Sequence, residues 1–72
     1  MPETPPRRPD RDDVERAARH MIALHGYSAA FRASRHALTL FNAGARREAR
    51  TWYRIAEAIR AYYRRIDDLN RS

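Results

Sequence analysis

Arg46, Arg50, Arg54, Arg60 and Arg64 recur at near-helical spacing toward the C-terminus, with Tyr53 set among them. A guanidinium presents a rigid fork of donors that matches a phosphate or carboxylate in pairs. A tyrosine ring exposed beside such forks can stack on a base. The chemistry this pattern offers is anion capture, with nucleic acid as the foremost polyanion. A solvated basic face is the plain alternative. All fifteen basic residues of the 72-residue chain are arginine and face nine acids, for a formal charge of +6. Such a balance favours anionic partners. Thirteen alanines and no lysine are equally what a GC-rich genome encodes whatever the function.

Other chemistries find little support. The histidines, His20, His25 and His36, lie five and eleven residues apart, which stacks no pair on one helical face. There is no cysteine, so disulfides and thiolate metal sites are excluded. No Ser-His-Asp order, glycine-rich phosphate loop or paired acids suited to a cleft is present. So small a chain leaves little room for a substrate pocket. We expect no catalytic residue, no metal ligand and no cofactor, and hence not an enzyme. His25 falls on an apolar face, where a packed imidazole would complement the negative end of a helix. His20 and His36 read as surface residues.

Three helices must position these groups. Residues 1–9, "MPETPPRRP", hold all four prolines and read as a disordered or polyproline-like tail. Its Arg7 and Arg8 could still touch an anion. A first helix is expected over about 10–25, capped by Asp10, with Asp12 and Asp13 favouring the positive end of the dipole. Its apolar face would hold Val14, Ala17, Ala18, Met21, Leu24 and His25. Gly26 then supplies a left-handed stop. The second helix, about 28–43, opens on Ser28 as a cap and stops at Gly44. It carries two apolar stripes: Tyr27, Ala30, Phe31, Ser34, Leu38 and Phe41, and beside them Ala29, Ala33, Ala37 and Leu40. A helix apolar over most of its circumference is normally buried on more than one side. We therefore expect helix 2 to be the middle of the fold or part of a dimer interface.

The third helix is expected over about 45–69. Ala45, Ala49, Trp52, Ala56, Ile59, Tyr63 and Ile66 alternate at four- and three-residue steps, the seam of a coiled-coil-like contact. Ile55, Tyr62 and Leu69 widen it. At 100° per residue the aromatics divide: Trp52, Tyr62 and Tyr63 go to packing, while Tyr53 joins the arginines. A helix this long should overhang the shorter two, so its free end calls for cover. The candidate packing or dimer interface is thus Ala33, Ala37, Leu40, Phe41, Trp52, Ile59, Tyr62, Tyr63 and Ile66. The candidate anion face is Arg46, Arg50, Tyr53, Arg54, Arg60 and Arg64.

Two resemblances rest on these residues. "HALTLFNAGARREARTWYRIAEAI" resembles one degenerate tetratricopeptide-type hairpin, with Ala37, Gly44, Ala49, Tyr53 and Ala56 at that repeat's small and aromatic positions. Ala33 stands at its tryptophan position and Ala61 at its closing proline. The resemblance implies an antiparallel helix pair; one repeat cannot bury a core alone. More broadly, "RAARHMIALHGYSAAFRASRHALTLFNAGARREARTWYRIAEAI" is similar to short, uncharacterised alphaproteobacterial all-helical proteins. The shared pattern falls on His25-Gly26, Ala30, Ala33, Gly44, Ala49, Trp52, Ile55 and Ala58-Ile59. That resemblance implies a fold rather than an activity.

The reading is an all-α, three-helix domain over residues 10–72, with helix 2 central, helix 3 long and a homodimer as the expected assembly. A chain this short is marginally stable without help, and with no cysteine, self-association is the help available. The expected function is a small non-enzymatic protein–protein interaction module, with an unidentified protein partner. The alternative is a nucleic-acid-binding protein using the arginine face. No run reaches the roughly 18–20 apolar residues of a membrane span, and "MPETPPRRPD" lacks the apolar core of a signal peptide. A cytoplasmic protein with no membrane association is expected.

Overall fold

The computed structural model describes residues 11–71, which are almost wholly helical and contain no strand. The all-α expectation holds. Helix α1 spans Arg11–His25, a 3-10 turn covers Gly26–Ser28, α2 spans Ala29–Asn42 and α3 spans Arg46–Arg71. Asp12 and Asp13 occupy the first turn of α1, where carboxylates oppose the positive end of the dipole. The expected Asp10 cap and the proline-rich tail, with Arg7 and Arg8, lie outside the described residues.

Two glycines set the corners. Gly26 takes φ +58° and Gly44 φ +87°, backbone that costs an L side chain energy and glycine nothing. Gly44 donates its amide to the Phe41 carbonyl at 3.0 Å, and Ala45 donates to the Leu40 carbonyl at 2.9 Å. Those two bonds form a Schellman motif, which satisfies the last carbonyls of α2. Ser28 behaves differently from expectation. Its hydroxyl makes no cap bond to the amides of α2. It donates to the His25 carbonyl at 2.9 Å and accepts from Arg32 Nε at 3.2 Å. The 3-10 turn already bonds this corner, so the serine ties α1's end to α2's first turn.

Helix α3, and not α2, is the central element. Both other helices pack chiefly against it and only lightly against each other. With 26 residues and a rise of 1.5 Å each it is about 39 Å long, the only element able to back both neighbours. Its seam packs throughout: Ala49, Ala56 and Ile59 are buried, and Ala45, Trp52, Tyr63 and Ile66 are half-buried. Ile55 is buried beside them. Helices α2 and α3 run antiparallel. Tyr27, before α2, stacks on Tyr63, late in α3, while Phe41, at the end of α2, lies under Arg46, which starts α3. Helix α1 lies against the later part of α3, where Val14, Ala18 and Ile22 line one cleft with Ala58, Ala61 and Tyr62. So α1 covers part of the expected overhang, and residues 67–71 remain exposed.

The core is built from small side chains. Val14, Ala18, Ala29, Ala33, Ile55, Ala56 and Ile59 form its buried cluster, and Ile59 is its only fully buried large residue among those described. Alanines facing each other let backbones approach closely, at the cost of little apolar area per residue. On α1, Leu24 was expected on the packed face but is 62% exposed, whereas Ile22 packs against the core. Leu24 lies in the last turn of α1, which ends at His25 before the Gly26 corner.

Candidate interaction surfaces

Helix α2 divides by residue size. Ala29, Ala33 and Ala37 are completely buried against α3, and Leu40 is half-buried beside them. The large residues face the other way: Phe31 is 63% exposed, Leu38 and Phe41 50% each, and Tyr27 87%. They recur at i, i+4, i+11 and i+14, so they form one stripe along α2. Within the single chain helix 2 is therefore buried on one side, and of the two expected roles the middle of the fold is corrected. The inner face is thus made of alanine and the outer face of large side chains. Among the described residues no helix packs over Phe31, Leu38 and Phe41. Of the candidate interface residues, Ala33, Ala37, Leu40, Trp52, Ile59, Tyr63 and Ile66 serve the chain's own packing. Phe41 and Tyr62 stand about half in solvent, 50% and 45% exposed.

Arginines border that stripe along Phe31 and Phe41, and at its Tyr27 end Arg60 and Arg64 share a recess with Glu57 and Asp67. Phe31 shares a shallow surface recess with Arg32 and Arg35. The Arg46 guanidinium sits 5.8 Å from the centre of the Phe41 ring, at the outer range of a cation–π contact. Arg60 Nη2 donates to Ser34 Oγ at 2.9 Å, and its Nη1 donates to Glu57 Oε1 at 2.8 Å. Ser34 lies within the stripe. Arg60 was expected to belong to water or an anion; instead it is a strut between α3 and α2. Its length lets it reach across the groove that α2's small residues create. Helix α2 itself carries no acidic residue.

The rest of the arginine face lies as its spacing indicates. Arg46, Arg50, Arg54 and Arg64 are exposed, and no acid of the described residues comes within salt-bridge distance of them. Tyr53 is 43% exposed on the same sector of α3. The one i,i+4 ion pair of α1, Arg11–Glu15 at 3.5 Å, is open to solvent and contributes little.

Two aromatic arrangements join the helices. Tyr63 stacks on Tyr27 at 4.8 Å between centroids and meets Tyr62 edge-on at 5.3 Å. Partial burial, and then the neighbouring Tyr27 and Tyr62 phenols, push the Tyr63 hydroxyl's pKa above its ordinary value. On the opposite flank His36 meets Trp52 edge-on at 4.5 Å. His36 was expected merely at the surface; it is exposed, yet its ring covers the tryptophan. Spacing along one helix cannot reveal a partner on another, so neither the His36–Trp52 nor the Tyr27–Tyr63 contact was legible beforehand. Among the described residues no group of histidines and acids could hold a metal ion, and no helix is long and apolar enough to cross a membrane. Comparison with protein-family models, with curated proteins and with solved structures gave no match.

Proposed function

We propose that this protein is a small, non-enzymatic helical interaction module that docks another protein on the outward face of α2. One observation carries the reading. The alanines of α2 complete the core, while its phenylalanines and Leu38 remain in water. Scattered exposed apolar residues are ordinary, but a contiguous stripe of large ones on one helix marks a contact surface. Aromatic and leucine side chains at helical spacing are the anchors of helix-face recognition. The test is affinity capture from host lysate after nuclease treatment, comparing the wild type with a Phe31→Ser, Leu38→Ser double variant. A protein retained by the wild type and lost by the variant supports the module. Equal retention by both would count against it.

A second reading is nucleic-acid binding through Arg46, Arg50, Arg54 and Arg64, with Tyr53 beside them. It is favoured by those exposed guanidinia making no salt bridge with any acid among the described residues. Binding of this kind is phosphate-dominated and weakens steeply with salt. Fluorescence titration with duplex and single-stranded oligonucleotides at two salt concentrations tests it. Expected are measurable low-salt affinity and its loss in the Arg50→Glu, Arg54→Glu double variant. No low-salt affinity, or an unchanged one in that variant, would rule the reading out.

A further inference from the structure

Who sits on the α2 stripe follows from its border, and this step rests on the docking reading above. We infer that the occupant is an amphipathic helical segment of another protein, with Asp or Glu flanking its apolar stripe. Along Phe31, Leu38 and Phe41 the charged side chains that the contacts reveal are arginines, while the Tyr27 end adds Glu57, Arg64 and Asp67. Arg32 and Arg35 line the recess beside Phe31, Arg46 overhangs Phe41, and Arg60 reaches Ser34. The nearby carboxylate, Glu57, is already bonded to Arg60. No acid on α2 offsets them.

A second copy of this chain fits that border poorly. Two antiparallel α2 stripes laid face to face around a two-fold axis bring the Arg35 side chains, near the middle of each stripe, toward each other, and like charges facing each other disfavour association. The chain's most acidic stretch, Asp12, Asp13 and Glu15, starts a helix whose Val14 and Ala18 are already buried in the core. It has no free apolar stripe to offer another copy. An acid-flanked helix from a different protein satisfies both demands at once. Its apolar residues cover Phe31, Leu38 and Phe41, and its carboxylates meet the arginine forks, which bind carboxylate in pairs.

A reciprocal charge swap tests this on the full chain. The probes are three synthetic helical peptides with one apolar stripe: one flanked by glutamate, one flanked by lysine, and a scrambled glutamate peptide of equal composition. Fluorescence anisotropy of the labelled peptides reads affinity, and circular dichroism checks that each protein variant is folded. The wild type is expected to bind the glutamate peptide at least roughly tenfold more tightly than the scrambled one. It should not bind the lysine peptide. Arg35→Glu with Arg46→Glu should reverse the preference between the glutamate and lysine peptides. Phe31→Ala with Leu38→Ala should weaken glutamate-peptide binding by roughly tenfold or more. Equal affinity for ordered and scrambled peptides, or a charge swap without reversal, would overturn the inference. Sedimentation of the same samples separates the two levels of failure. A dimer lost on Phe31→Ala with Leu38→Ala overturns the acidic partner but keeps α2 as a docking face. A monomer that binds none of the peptides, and whose α2 variant captures host proteins as the wild type does, overturns both.

Discussion

At the scale of residues, the tyrosine cluster gives the molecule a pH signature. Tyr63 holds its proton more tightly than a free phenol does, because its ring is partly buried and two other phenols adjoin it. The folded state therefore favours the neutral form. Stability from this group is fully present below the ordinary phenol range near 10 and is lost as pH rises from there through the Tyr63 ionisation. Ultraviolet titration of the folded chain should show a tyrosine step above the ordinary phenol range. In Tyr63→Phe that late step should vanish, and the alkaline decline of the unfolding midpoint should flatten. The absence of any tyrosine step above the ordinary range would contradict the cluster.

At the scale of elements, the helix corners and the seam were the most legible features. Gly26 and Gly44 were expected to stop helices, and both adopt positive φ. The 4-3-4-3 pattern from Ala45 to Ile66 matches the packed side of α3 residue for residue. Periodicity failed on α2, where two apolar stripes lie side by side and hydrophobicity alone cannot choose between them. Size divides them: the inner stripe is alanine, wholly buried, and the outer stripe is large and exposed. Arg60 eluded the reading for a related reason, since its partner Ser34 is 26 positions away in sequence. The Schellman corner carries its own prediction. Nothing lies within 4 Å of a Cβ built on Gly44, so Gly44→Ala meets no clash and suffers only the positive-φ cost of roughly 1 kcal/mol. Urea unfolding should show that modest loss. A neutral result would mean that the corner relaxes.

At the scale of the whole molecule, a small alanine core and a wide arginine surface point the same way. Close-packed alanines bury little area, and Ile59 is the one large side chain wholly inside among the described residues. Domains of this size have little stability to spare. A partner that binds only the folded form raises that stability by mass action, so occupancy of the α2 face should protect the chain as well as recruit its partner. The central claim is that this face serves binding and not folding. Equilibrium urea unfolding of the isolated protein tests it most directly, with Phe31→Ala, Leu38→Ala measured beside Ile59→Ala. The double variant should lose about 1 kcal/mol or less, because both side chains are already at least half in water and alanine suits a helix better. Ile59→Ala should lose about 2–5 kcal/mol, as for other buried large-to-small changes. A double variant that loses as much as Ile59→Ala would contradict the account, because Phe31 and Leu38 would then be holding the fold together.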